Sequence, residues 1–399
     1  MKEAEVAMPG PMRHSVCLLT NAYPDFPDSN RVVFLRNLAQ LLARKDWSVT
    51  VVAPRIFSAS RPFDAEGEIE IHRFSSFMGG RLLVEYPRTP AFRLIGYMAA
   101  GLLSAVRSVH ARKCDVIHAH WVIPAGVIAL MAGWLCRKPV IVTAHGSDIL
   151  LVSQRNPIMK WFSGFVLKHA DAVTSVAKHL TDVIVAMGIP REKILTFPMS
   201  VVTEAFTDNG PVHQGWIGEM VIFSNRSLYP VYDVETLVEA TPAILEKFPH
   251  ARIAIAGEGP ESQRIASVAG DSGVGDRVRF MGSIAHEHMP EYLRAASVYV
   301  STALSDGASV SLLEAMACGT FPVVADIPAN REWIKDGENG FLFAPGDAKA
   351  LARKIEDCLG RPALRERARE TNARIINQRA QWNLNVEKLL ALYEKATIR

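Results

Sequence analysis

Short runs rich in Val, Ile and Leu alternate along this chain with longer segments whose apolar residues recur every three to four positions. Strands buried on both faces and joined by crossover helices read this way, so the pattern predicts an α/β protein built on parallel sheets. Residues 16–20 read as a strand, 31–45 as a helix and 48–53 as the next strand, a complete βαβ unit; 116–118, 140–143 and 172–175 continue the series. Across 202–220 the periodicity lapses into a polar stretch with Gly and Pro, which predicts a linker. Further strands follow at 221–224, 251–256, 278–280, 298–302 and 321–324, with helices in nearly every gap. A last segment, 382–395, places Leu384, Leu389, Leu392 and Tyr393 for an amphipathic helix. The expected organisation is two Rossmann-like, doubly wound domains facing each other across a cleft: 1–203, a linker at 204–219, 220–380, and a terminal helix at 381–399. Ligands of such sheets bind beyond the C-terminal ends of the strands, so the cleft is the expected active site.

Composition narrows this picture. The 399 residues, 49% hydrophobic and 21% charged, fit an ordinary globular protein of two or three domains. Five scattered cysteines (Cys17, Cys114, Cys136, Cys318, Cys358) lack metal-binding or C-x-x-C spacing, which predicts a reducing, cytoplasmic setting. The longest uncharged apolar stretches, 94–106 and 121–136, fall short of the ~20 residues of a spanning helix, so no membrane crossing is expected. The first dozen residues have two acids and no apolar core, a loose leader and not a secretory signal. Residues 1–114 hold 15 Lys and Arg against 10 Asp and Glu, leaving −2 for the remainder. That basic front half reads first as a plain solvated face, and it also fits peripheral contact with an anionic inner membrane or a phosphorylated acceptor. No basic, aromatic-interleaved patch points to nucleic acid. The first strand-to-helix turn has no glycine, let alone G-x-G-x-x-G, which argues against a nicotinamide dehydrogenase.

The most informative stretch is S-D-G-A-S-V-S-L-L-E-A-M-A-C-G, residues 305–319. A strand ends near Leu304, a glycine-bearing turn follows, and a helix starts near Ser309 and stops at Gly319. Backbone N–H groups of Gly307, Ala308, Ser309 and Val310 at that helix start form a site for phosphate or sugar oxygens; Ser309 has the alternative role of an N-cap. Glu314 sits among Val310, Leu313, Ala317 and Cys318 on a helix that reads as buried. An unpaired carboxylate there is costly, so it finds either ligand hydroxyls, such as a ribose diol, or an Arg or Lys of the core. Asp306, in the preceding turn, faces the same cleft. His145 lies just past a strand end in H-G-S-D, whereas His118 and His120 lack such a context and read as structural.

At this point a family resemblance becomes specific. Asp306 and Glu314, seven residues between them and followed by E-A-M-A-C-G, are similar to the E-x7-E motif of the family-4 retaining glycosyltransferases of the GT-B fold. D-V-I-H-A-H-W with Pro124-Ala125-Gly126, then K-P-V-I-V-T-A-H-G-S-D, resemble the two central strands of that family's front domain. Arg226, G-E-G-P at 257–260 and V-R-F-M-G at 278–282 resemble its rear-domain loops, and the last helix resembles the one that crosses back to the first domain. The resemblance implies a nucleotide-sugar donor and a glycan, lipid-linked or small-scaffold acceptor. It implies that Glu314 holds the donor ribose, Asp306 the donor sugar hydroxyls, Arg226 the diphosphate, and that Phe280 and Met281 border the base. His145 would touch the donor sugar beside the reacting carbon, and retention of configuration follows from the family alone.

No D-x-D triplet is present, so a metal-independent reaction without cofactor is expected, with Arg226 and the helix start near Ser309 meeting the leaving-group charge. Several positions depart from the family pattern. The lysine that usually follows Arg226 is replaced near Val231 or Tyr232, and Arg31 is the candidate substitute cation. Asp306 stands for Glu, Ser29 and Asn30 for a glycine pair, and Met199-Ser200-Val201-Val202 for N-G-V-D. The missing lysine keeps open the alternative of a catalytically silent protein that binds a nucleotide sugar or a partner enzyme. An epimerase or phosphorylase of the same architecture does not account for the acidic pair.

Overall fold

The computed structural model describes residues 14–26, 29, 31–77, 91–153 and 157–398. The expected leader, Asn30 of the first turn and most of the stretch 74–93 lie outside the described residues. An eight-stranded sheet comprises β1 (His14–Thr20), β2 (Trp47–Arg55), β3 (Phe63–Glu66), β4 (Ile69–Ser75), β5 (Val116–His120), β6 (Val140–Ala144), β7 (Ala172–Ser175) and β8 (Ile194–Thr196). Their order is β3-β4-β2-β1-β5-β6-β7-β8, all parallel except β3 against β4. The second sheet holds β9 (Val221–Ser224), β10 (Arg252–Ala256), β11 (Val278–Gly282), β12 (Val298–Ser301), β13 (Phe321–Ala325) and β14 (Phe341–Phe343), all parallel, ordered β11-β10-β9-β12-β13-β14.

The central strands β5, β6, β9, β12 and β13 are buried at every residue, which is why β6, β9, β12 and β13 read as near-continuous apolar runs, while β5 carries the buried His118 and His120. β3, β4, β8 and β14 escape the sequence reading. β4 alternates buried Ile69, Ile71 and Arg73 with half-buried Glu70 and His72, so charged residues interrupt its apolar run, and β14 is only three residues long. In each sheet the order reverses at one point, between β1 and β5 and between β9 and β12. The loops after these strands diverge there and leave a crevice, and the two crevices face each other.

Two expectations about organisation change. The stretch 204–219 is no free linker: Phe206 and Trp216 are buried in the second domain, where Trp216 packs edge-on to Phe223 and Tyr292. Its polar sequence hides two aromatic anchors. The true crossing is narrower, because Val201 forms a bridge with Gln381 and its N–H donates to the Ala380 carbonyl at 2.8 Å. Both passages of the chain between domains therefore run side by side. The terminal helix Trp382–Thr397 then packs into the first domain's core through Trp382, Val386, Leu389 and Tyr393. Burial of each such large side chain contributes about 2 kcal/mol.

One helix bears on the expectation that no segment crosses a membrane. Helix Ala91–Ala111 contains a segment, Phe92–Ala111, of 20 residues that is long and apolar enough to cross a membrane by length and composition. Arg93 and Arg107 interrupt the uncharged run without removing its apolar character. In the fold it lies on the first sheet through Tyr97, Ala105 and Val109.

The domains approach each other closely at two glycines. Gly146, after β6, has φ 109°, and a Cβ on Gly307 would overlap the His145 carbonyl and the Gly146 Cα. No side chain fits between the two backbones. Gly307→Ala is therefore expected to leave the melting temperature of both cores nearly unchanged but to push the walls apart. A misplacement of about 1 Å at a reacting centre costs on the order of 100-fold in rate. Steady-state turnover compared with thermal unfolding checks this; full activity in the variant would contradict it.

Candidate active site

The cleft between the domains encloses about 1180 Å3. Arg31, Phe34, Trp121, His145 and Leu150 line its first-domain wall, and Arg226, Tyr232, Glu258, Asp306 and Glu314 its second.

On the first-domain side, one buried carboxylate organises the loops after β5 and β6. Asp148 is 1% exposed. One oxygen accepts the Val122 N–H at 2.8 Å, and the other accepts those of His145, Gly146 and Ile149 at 3.2, 2.9 and 3.1 Å. Burial raises its pKa, and these backbone donors oppose that rise. The bonds hold Trp121 and His145 together, their rings 4.6 Å apart, with Phe34 5.2 Å from His145.

His120 is more than the structural residue the sequence suggests. Its Nδ1 lies 3.0 Å from His145 Nε2, so the last residue of β5 fixes the imidazole that borders the cleft. Behind it, His118 bridges Tyr393 and Thr143 at 2.6 Å each, a fully buried structural pairing. Burial pushes His118 down to about 3 and His120 well below its ordinary range, the neighbouring histidines adding to the latter. His145 falls to about 3 through burial and then the charge of His118, and so stays neutral.

Across the cleft, Arg226 follows β9 and Asp306 follows β12, the two strands that flank the switch point. They pair across it at 2.7 Å. Burial works against the Arg226 charge, but the Asp306 carboxylate outweighs it, and the guanidinium also lies 4.2 Å over the Tyr232 ring. Tyr232 thus occupies the region where the sequence lacks a lysine. Arg226 Nε remains buried without a hydrogen-bond partner.

Glu314 lies on the helix Val310–Ala317, is 6% exposed and lines the cleft. Its partner is neither Arg nor Lys but His286, whose Nε2 is 2.7 Å from Oε1. Burial lowers the His286 pKa, but the hydrogen bond and charge of Glu314 more than reverse this, leaving it raised. His286 itself lines the cleft. Nothing in G-S-I-A-H-E-H distinguishes it, because the pairing is made by two segments 28 residues apart.

Gly307, Ala308 and Val310 line the cleft, whereas Ser309 does not. Ser309 is buried, makes no capping bond, and has its hydroxyl 3.4 Å from Arg226 Nη1. The Val310 N–H turns back to the Ala308 carbonyl at 3.0 Å, so the expected set of free donors contracts to 307–309. Phe280 and Met281 also fall outside the lining. They sit within β11, an edge strand, where Phe280 is 37% exposed, and the residues just past its end, Ser283 and Ile284, face the cleft instead. Arg31 lines the opposite wall with Nη1 buried and unpartnered, its guanidinium 5.4 Å from the Phe57 ring centroid.

The buried imidazoles carry a pH consequence. Because the folded pKa of His118 lies near 3 against an ordinary 6.5, its stabilising contribution is complete above 6.5 and is lost as pH falls towards 3. The loss for each buried histidine is about 1.4 kcal/mol per pH unit. His120 has the same sign. Thermal unfolding is expected to steepen in acid, and His120→Gln to flatten that slope; an unchanged slope would contradict the neutral assignment.

Residues 32–199 match the family model "Glycosyl transferase 4-like domain" and residues 217–375 match "Glycosyl transferases group 1". The chain is 30% identical to EpsD of Bacillus subtilis (strain 168), provisionally named a glycosyltransferase, over 63% of this chain and 68% of that protein. It is 28% identical to the phosphatidyl-myo-inositol mannosyltransferase of Mycobacterium leprae (strain TN), over 70% and 73% of the two chains. In fold it is similar to the sucrose-phosphate synthase of Thermosynechococcus elongatus, with TM-score 0.80, 19% identity and coverage of 96% and 99%. Anabaena HepE, solved in complex with UDP-glucose, gives TM-score 0.74 at 18% identity over 94% and 99%. With two facing parallel-sheet domains and both family models matched in order along the chain, the protein belongs to the family-4-like glycosyltransferases of the GT-B fold.

Proposed function

We propose that this glycosyltransferase moves a sugar from a nucleoside diphosphate sugar to an acceptor hydroxyl on a glycan or lipid-linked molecule, with retention of anomeric configuration and without metal or cofactor. Glu314 is the observation that carries the reading. It is a buried carboxylate whose partner, His286, also borders the cleft, so a ribose diol can take the histidine's place. A relative named for mannosyl transfer to phosphatidyl-myo-inositol and a fold neighbour solved with UDP-glucose support the same donor and acceptor classes.

In this reading the bond from the sugar's anomeric carbon to the diphosphate breaks while the acceptor oxygen bonds to that carbon from the same face. The acceptor proton passes to the departing phosphate oxygen. Negative charge grows on the diphosphate, so positive groups near it lower the barrier. Arg226 offers its free Nε, Arg31 approaches from the other wall, and the N–H groups of Gly307 and Ala308 add their dipoles. His145 serves differently. Positive charge builds on the anomeric carbon, and a histidine held neutral by burial can hydrogen-bond the sugar there without repelling that charge. Asp306, released from Arg226 as phosphate arrives, is free to accept sugar hydroxyls.

Release of nucleoside diphosphate from a panel of nucleotide sugars, with and without glycan and lipid acceptors, tests the assignment. Glu314→Ala is expected to lower turnover by at least ~100-fold with the fold intact. Arg226→Ala and Arg31→Ala are each expected to raise the donor KM by ~10-fold or more, the scale of one charge-assisted contact. Normal rates in Glu314→Ala would refute the ribose role, and a product of inverted configuration would refute retention.

A further inference from the structure

Three neighbouring helices cover one face of the first sheet: Ala91–Ala111, Val127–Cys136 and Pro157–His169. Their sequences contain four cations (Arg93, Arg107, Lys160, Lys168) and no Asp or Glu. The layer is also unusually apolar on its outside. Phe92 and Ile95 on the first helix, Trp134 and Leu135 on the second, and Ile158 and Trp161 on the third are each more than half exposed. So many large apolar side chains exposed on one layer of helices mark an interaction site.

The aromatic residues are ordered before any partner arrives. Trp161 stacks on Phe165 at 5.5 Å, and Trp134 meets Phe165 and His169 edge-on at 6.4 and 6.5 Å. Lys160 and Lys168 flank this cluster on an exposed helix face, and neither pairs with a described carboxylate. The third helix follows the segment Ser147–Val152, whose Leu150 and Leu151 line the cleft, and the second follows Trp121 and its loop. The surface therefore begins at the mouth of the active site.

We infer that this layer is a docking surface for an anionic phospholipid bilayer. Two features select that occupant. Tryptophans with lysines on an apolar helix face match the headgroup level of a membrane, where indole rings and cations both find favourable partners. A second copy of the chain would instead bring the cations of these helices, Lys160 and Lys168 among them, against each other, and the three helix sequences carry no carboxylate to meet them. The inference rests on the transferase reading in one respect: the bilayer presents a lipid-linked acceptor at the cleft mouth, and the donor arrives from water.

Co-sedimentation of the full chain with phospholipid vesicles tests it, using vesicles of neutral lipid alone and vesicles with about a third anionic lipid. Binding is expected only to the anionic vesicles, weakened by salt, with tryptophan emission quenched by brominated acyl chains. Trp134→Ser with Trp161→Ser, and separately Lys160→Glu with Lys168→Glu, are each expected to lower the partition coefficient by ~10-fold or more. All four side chains are exposed, and the quenching measurement needs no variant. Absence of binding to anionic vesicles, binding that both variants leave unchanged, or a concentration-dependent dimer in place of vesicle binding would each overturn the proposal. Nucleoside diphosphate release from donor in water, measured in parallel, separates the two readings: release without vesicle binding overturns the surface alone, and binding without release overturns the transferase reading alone.

Discussion

A charged side chain withdrawn from water must keep a partner, and that constraint shapes the second wall of the cleft. Arg226 and Asp306 satisfy each other across the switch point of the sheet, and Glu314 and His286 do so beside them. Removing one member of such a pair leaves a buried charge that costs about 3 to 5 kcal/mol. In the proposed reading a donor enters by exchange, offering phosphate oxygens to Arg226 as it takes over the contacts of Asp306, and hydroxyls to Glu314 as it displaces His286. Selectivity follows from the same rule, since a molecule that displaces one member of a pair without offering the other a new partner leaves a charge stranded.

The first wall is built on the opposite principle. Its histidines are kept uncharged by burial, aligned in a row from Tyr393 through His118 and His120 to His145, and locked by the Asp148 carboxylate onto four backbone N–H groups. A neutral, rigid imidazole borders the cleft on this wall, where Arg31 is the one cation among the described lining residues, and the buried pairs of charged groups lie on the wall opposite. The glycine pair at 146 and 307 sets the distance between these two environments. The terminal helix contributes here as well, because Tyr393 belongs to it and reaches the back of the histidine row.

Much of this was legible in the sequence where the determinants are local. Most central strands announce themselves through near-continuous apolar runs, and Asp306, Gly307 and Glu314 share one turn and one helix, so their common wall is a matter of spacing. What stayed hidden depends on residues far apart in the chain. His286 is distinguished only by its distance to Glu314, His120 only by its distance to His145, and Ser309 only by being turned inward to Arg226. Phe280 and Met281 fall short of the cleft by a few positions because a register shift beside β10 and the turn at Gly282 carry the chain past the strand before it faces the cleft. Polar composition at 204–219 masked the packing of Phe206 and Trp216 for the same reason.

Partner exchange at Glu314 has a calorimetric signature. His286 owes its raised pKa to that carboxylate, so a ribose that claims Glu314 returns the histidine towards its ordinary value and frees a proton. Titrating a nucleoside diphosphate into the protein near neutral pH, in buffers of differing ionisation heat, should show proton release on binding that disappears in His286→Gln. Binding with no proton release, or release that persists without His286, would contradict the account.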